Sequence, residues 1–176
     1  MLIILRKILL ISDTHGYIDD KIIDYSKKAD EIWHAGDIGN LKIIDELKNI
    51  NKVRAVYGNI DNTNIRKDLK RDLKFQIEDL KVLITHIGGY PPNYNKRTIL
   101  ELQKYKPDLF ICGHSHILKI MYDKKFKLLH INPGAIGKYG FHQKRTMVRF
   151  EIDRKEIKNL EIVEFDRWLP LITLVC

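Results

Sequence analysis

Four histidines, two aspartates and one asparagine are distributed along the chain as donors for a divalent metal centre: Asp13, His15, Asp37, Asn59, His86, His114 and His116. Imidazole nitrogens mixed with carboxylate and amide oxygens, with no thiolate among them, suit first-row ions such as manganese, iron, cobalt, nickel or zinc. Seven donors are too many for one ion. They match two ions that share a bridging carboxylate and keep positions open for water and substrate, an arrangement that activates a hydroxide and clamps a phosphoryl oxygen. Gly36, Gly58 and Gly113 precede donor positions, where the backbone must turn sharply and approach the ions closely.

Donors this far apart meet only if the fold brings strand ends together. Residues 8–11 form a continuous apolar run, the pattern of a strand covered on both faces, and 31–35 and 53–57 are strand-like. Amphipathic stretches at 19–28 and 41–50 separate them, so the first sixty residues read β-α-β-α-β, with parallel strands and right-handed crossovers. Residues 74–78 and 81–85 read as a hairpin around Asp79 and Leu80, and 97–105 as a helix that stops before Pro107. Short strands are expected at 108–112, 117–122 and 127–131, and an antiparallel pair at 146–153 and 161–165. The expected fold is α/β, two mixed β-sheets packed as a sandwich with flanking helices. Each donor then follows a strand, at the carboxyl ends where ligands gather in open α/β sheets.

A length of 176 residues with 44% hydrophobic and 31% charged content predicts one sizeable core and a single domain over 1–176. Ten glycines and five prolines exclude collagenous and low-complexity chains. A net charge of +8 raises nucleic acid, anionic membrane or phosphorylated substrates as partners. Cys112 and Cys176 cannot build a disulfide framework, which fits a reducing, cytoplasmic setting. The apolar start at 1–11 is interrupted by Arg6 and Lys7 and reads as a strand. The apolar tail at 169–176 contains Pro170 and reads as a terminal strand or oligomer contact; no membrane partner is expected.

The series Ser12-Asp13-Thr14-His15-Gly16, Gly36-Asp37, Gly58-Asn59-Ile60-Asp61, Thr85-His86 and Gly113-His114-Ser115-His116 resembles the motif set of the calcineurin-like metallophosphoesterases. It is most similar to their small, capless phosphodiesterase branch, whose fold a eukaryotic retromer subunit shares. Asn132-Pro133-Gly134-Ala135 resembles the loop that follows these motifs. The resemblance implies the metallophosphoesterase fold and two divalent ions, with manganese favoured. It also implies that Asp13, His15 and His116 hold one ion, that Asn59, His86 and His114 hold the other, and that Asp37 bridges them. Asp37, Asn59 and His114 would act in catalysis, with Asn59 also touching the phosphate, as a hydroxide between the ions attacks phosphorus in line. Larger members have histidine after the asparagine, where this chain has Ile60, so leaving-group protonation falls elsewhere and diesters with good leaving groups are favoured over monoesters. The expected function is therefore a metal-dependent phosphodiesterase acting on a small phosphate ester. A non-catalytic interaction scaffold and a nuclease are the alternatives. Small members imply a dimer or tetramer.

Other residues have plainer expectations. Asp61 braces a loop or caps the next segment with odds equal to those of a site role. His34 and His130 read as core groups. His142, beside Tyr139 and Phe141 in a glycine-containing loop, is a weaker candidate for substrate contact, and Tyr90 and Tyr94 for the substrate mouth. Cys112 reads as a buried small residue. The stretch 66–74 reads as a solvated face, because its cations alternate with Asp68 and Asp72. The basic stretch 119–145 contains the Asn132-Pro133-Gly134 loop and is a candidate to favour an anionic substrate, with solvated lysines as the equal alternative.

Overall fold

In a computed structural model, residues 5–167 are described. β1 (Arg6–Ile11), β2 (Glu31–His34) and β3 (Lys52–Ala55) lie parallel, connected by α1 (Asp20–Lys27) and α2 (Leu41–Lys48). α3 (Thr63–Asp68) leads into β4 (Asp72–Ile77) and β5 (Leu80–Thr85), then a small hairpin of β6 (Gly89–Tyr90) and β7 (Asn93–Tyr94). α4 (Lys96–Tyr105), β8 (Leu109–Ile111), β9 (Leu118–Asp123), β10 (Leu128–Pro133), β11 (Lys144–Asp153) and β12 (Glu156–Asp166) complete the order. One sheet runs β12-β11-β1-β2-β3 and the other β4-β5-β8-β10-β9. Both are mixed, because β1 pairs antiparallel with β11, while β5, β8 and β10 are parallel and flanked by antiparallel β4 and β9.

The apolar run of β1 is continuous because both its faces are covered. Ile8 and Leu10 point into the core between the sheets with Trp33, Val82, Ile84, Ile111 and Phe150. Leu9 and Ile11 pack on the opposite face against Ile22 of α1 and Ile43, Ile44 and Leu47 of α2. The outer face of the second sheet is covered by α4, whose Leu102 meets Leu83 and Phe110. Short polar caps start these helices. Asp19 accepts from Ile22 N, Asn40 from Lys42 N and Asn95 from Thr98 N, and α4 ends at Lys106 in the left-handed conformation, one residue before Pro107.

Three elements depart from expectation. α3 is capped by Asn62, which accepts from Asn64 N and Ile65 N, and buries only Ile65, so its sequence carries almost no periodicity. β12 begins at Glu156, earlier than 161, because it is an edge strand whose register shifts near Glu151 and whose Asn159 has φ of 49°, which breaks the alternation. The loop after His86 holds the short β6–β7 hairpin. No helix among the described residues is long and apolar enough to cross a membrane. The apolar tail at 169–176, with the oligomer contact expected of it, lies outside the described residues.

Candidate metal centre

Both sheets carry donors to one site. Asp13 and His15 follow β1, Asp37 follows β2, Asn59 follows β3, His86 follows β5, and His114 and His116 follow β8. Backbone hydrogen bonds tie these loops into one layer: Asp13 N to Gly36 O at 2.9 Å, His15 N to Asp37 O at 3.0 Å and Gly113 N to His86 O at 3.0 Å. Across the two sheets, His114 N donates to Asp13 Oδ2 at 3.2 Å. Five donor residues have left-handed backbone: Asp13 (φ 55°), His15 (49°), Asp37 (54°), His114 (69°) and His116 (57°). Each such conformation costs a non-glycine residue about 1–2 kcal/mol. The cost is concentrated where the side chains must turn inward together.

The donor atoms form two groups. In the first, Asp13, His15 and His116 offer atoms that all lie within 4.8 Å of one another, and in the second Asp37, His86 and His114 do the same. His15 Nε2 lies 3.2 Å from His116 Nε2, and Asp13 Oδ1 lies 3.2 Å from His116 Nε2. Asn59 Oδ1 joins the second group 3.1 Å from His86 Nε2. Asp37 faces both, with Oδ2 3.9 Å from His15 Nε2 and Oδ1 3.2 Å from His86 Nε2. Bonds of about 2.0–2.2 Å to one ion put neighbouring donors about 3 Å apart and opposite donors about 4 Å apart. The observed separations match that range. Asp13 Oδ1 is buried and has no hydrogen-bond partner among the described residues, although three imidazole nitrogens surround it within 4.0 Å. A cation satisfies such an oxygen.

Hydrogen bonds outside the donor layer orient the rings. Ala35 O accepts from His86 Nδ1 at 2.8 Å, which fixes the Nδ1 proton and turns Nε2 toward Asp37 and Asn59. Burial opposes a charge on His86, but the hydrogen bond to Asp37 and the nearby Asp13 raise its pKa overall. Burial likewise opposes charge on Asp37, and His86 with the Ile60 N–H holds its carboxyl below the usual range. His15 and His114 are lowered chiefly by burial. His34 stands behind the donors: its Nδ1 accepts from Gly36 N at 3.1 Å, so its Nε2 carries the proton toward Thr14 Oγ1, 2.9 Å away.

Two glycines permit this approach. Gly36 has φ of 97°, and a Cβ there would lie 2.6 Å from His86 Nδ1. At Gly58 a Cβ would overlap the Asp37 carboxylate. Gly58→Ala is therefore expected to lower stability by about 1–3 kcal/mol and to weaken divalent-ion binding by displacing Asp37. Chemical denaturation and metal titration of the variant check both effects.

Several site-supporting residues lie outside the expected donor set. Asp61 is a brace: its carboxylate accepts from Gly58 N at 2.7 Å, Gly39 N at 2.8 Å and Ile38 N at 3.2 Å, which locks the Asp37 loop to the Asn59 loop. Asn132 donates to Gly113 O at 2.9 Å and to Ser115 Oγ at 3.0 Å, bracing the His114 and His116 loop. Residues 66–74 are not simply a solvated face, because Arg66 donates to Asp61 O at 2.7 Å and to Asn59 O at 2.8 Å. An arginine seven residues beyond a donor gave no local signal of this; only the turn through Asn62 into α3 brings it back.

His142 Nε2 donates to Gly137 O at 2.9 Å and its ring lies 5.1 Å from that of His116, while the exposed Tyr139 ring lies 5.3 Å from that of His15. This loop edges the first donor group. Tyr94 is buried among Phe110, Phe126 and His130, as loop packing. Cys112 is buried, and burial pushes its thiol up to about 12, so it is no nucleophile. Within 119–145, Arg145 is buried against Asp19 and Ile136 O, Lys144 pairs with Asp166, and Lys119 and Lys138 lie over Tyr90 and Tyr17.

The model of the calcineurin-like phosphoesterase superfamily domain matches residues 7–155. A protein named as a probable metallophosphoesterase from Methanocaldococcus jannaschii is 33% identical over 133 residues, 72% of this chain and 66% of that protein's length. Among solved structures, an archaeal phosphodiesterase is 25% identical with a TM-score of 0.66, covering 90% of this chain and 99% of the other. Zinc-complexed Vps29 from Entamoeba histolytica has a TM-score of 0.72 at 17% identity, covering 92% of this chain and 99% of the other, a likeness of fold.

Proposed function

This chain belongs to the calcineurin-like phosphoesterase superfamily, and from that premise we propose that it is a phosphodiesterase working with two divalent ions in a single domain over 1–176. The observation that carries the reading is the pair of donor groups joined by Asp37, whose two carboxylate oxygens face one group each. Asp13, His15 and His116 would hold one ion, and Asn59, His86 and His114 the other, with Asp37 bridging. Manganese is our first choice, and the donor set also admits zinc, the ion named with the Entamoeba Vps29. Such ions supply an activated water and offset charge on phosphoryl oxygens. Asn59, with Oδ1 turned to His86, keeps its amide N–H groups for a phosphoryl oxygen. His114, an exposed member of its group, borders the substrate. The protein would act in the cytoplasm on a small phosphate ester.

The preference for diesters rests on the mouth. Ile60 is 47% exposed beside Asn59 and has no proton to give, Ile87 follows His86, Ile117 follows His116, and Tyr139 is exposed beside the first donor group, with the exposed Phe141 two residues on. Apolar and aromatic surfaces of this kind fit an ester with organic groups on both sides, and they leave a poor leaving group without an acid from that position. The same rim is what favours a second reading, an interaction module whose partner covers the site.

Hydrolysis of a chromogenic aryl phosphodiester and of the matching monoester separates these. A diester rate that exceeds the monoester rate and depends on added metal is the expected result. Inertness toward both substrates with every ion tried would favour the interaction module. Metal should also stabilise the fold. Adding manganese at about a hundredfold above its Kd to chelator-stripped protein contributes about 2.7 kcal/mol, or roughly 5–10 °C in unfolding midpoint. Differential scanning calorimetry with and without chelator checks this.

A further inference from the structure

Beside Asn59 and His86 the surface sinks into a cavity of about 310 Å³, and its wall includes Arg66, Arg71 and Arg97. No carboxylate lines it among the described residues. Among the described residues Arg97 alone of the three has an acidic partner, Asp72, at 2.5 Å, and it also donates to Thr85 Oγ1 at 2.8 Å. Arg66 donates to the carbonyls of Asp61 and Asn59 and stacks 5.2 Å over the Tyr57 ring. The Arg71 side chain makes no ion pair or hydrogen bond with any described residue, while the residue before it is tied down, because Tyr57 N donates to Lys70 O at 3.1 Å. Three guanidinium groups against one carboxylate leave two positive charges unmatched beside the donors of the second group. A cluster of like charges with preset forks is a receptor for an anion, and the guanidinium fork matches phosphate better than any other side chain does.

We propose that this cavity is a subsite for a second phosphate group, carried on one arm of the phosphodiester whose scissile phosphorus sits at the donor groups. The cavity and the second donor group share Asn59 and His86, so the two phosphates would be neighbours on one substrate. The proposal rests on the phosphodiesterase reading, and it narrows the substrate class to diesters with a terminal phosphate, such as phosphorylated dinucleotides.

The test compares three substrates, the thymidine dinucleotide without a terminal phosphate, with a 5′-phosphate and with a 3′-phosphate, on metal-loaded wild type, Arg71→Ala and Lys124→Ala. Lys124, an exposed cation in the turn after β9, controls for general charge. In wild type and Lys124→Ala, one phosphorylated form is expected to show a KM about tenfold below that of the unphosphorylated form. In Arg71→Ala the preference should fall to about twofold or less. Equal KM values for all three forms, or a preference that survives in Arg71→Ala, would overturn the subsite. Direct titration of chelator-treated protein with the same dinucleotides gives the same comparison without turnover. If no dinucleotide is hydrolysed but the Arg71-dependent preference in binding persists, the subsite stands and the phosphodiesterase reading fails. If binding too shows no preference, the subsite fails.

Discussion

Asp37→Asn is expected to reduce kcat/KM on an aryl phosphodiester by on the order of a thousandfold or more, with little change in fold. The two side chains are nearly the same shape, and asparagine Oδ1 can still accept from Ile60 N, which Asp37 Oδ1 does at 3.1 Å. What changes is charge and donor number. Asp37 places one oxygen 3.2 Å from His86 Nε2 and the other 3.9 Å from His15 Nε2. Asparagine keeps one neutral oxygen and turns an N–H₂ toward the other group, where it repels a cation. Two divalent ions would then rest on Asp13 as the one carboxylate left in the two groups. Losing several kcal/mol of charge stabilisation corresponds to the stated factor. Steady-state kinetics with metal analysis of the purified variant checks it. A variant that retains wild-type kcat/KM would remove Asp37 from the chemistry.

The second large effect is on stability in acid. His34 and His130 are buried, and burial lowers both to about 4. In the unfolded chain a histidine takes up its proton near pH 6.5. Between these values the unfolded state binds more protons than the folded one, so stability is full above about pH 6.5 and falls as pH drops toward 4. Each ring contributes on the order of 3 kcal/mol to that loss. Neither nitrogen of His130 has a hydrogen-bond partner among the described residues, and the ring packs against Tyr94 and Phe110, so phenylalanine can replace it without leaving a polar group unpaired. His130→Phe should therefore gain about 2–3 kcal/mol relative to wild type on going from pH 7.5 to 4.5, whatever its offset at neutral pH. Urea denaturation at the two pH values measures this. A constant difference between the proteins would show that His130 does not titrate in this way.

The convergence of the expected donors was legible because chemistry and position coincide in them. Asp13, Asp37, Asn59, His86 and His114 each come just after an apolar strand, and imidazole or carboxylate at a strand end has few other uses in that number. Strand existence was legible for the same reason: β1, β2, β5 and β8 are buried on both faces and so read as apolar runs. The backbone at the donors was not. Left-handed φ at Asp13, His15, Asp37, His114 and His116 is imposed by tertiary contacts such as Asp13 N to Gly36 O, which local propensity cannot encode. Asp61 was open between brace and site because an aspartate after a strand serves either role, and its three backbone donors come from two separate loops. The arginine cavity was hidden for a related reason. Arg66 and Arg71 sit in a stretch whose cations are interrupted by Asp68 and Asp72, and Arg97, from α4, joins them only in three dimensions.

The proposed chemistry needs two ions acting together through Asp37. Its most direct test is the rate of aryl phosphodiester hydrolysis by chelator-stripped protein as manganese is titrated in at high protein concentration. The predicted result is no rate without metal, a low rate near one equivalent, and saturation at two equivalents per chain. A rate that saturates at one equivalent, or that is undiminished with no metal bound, would contradict it.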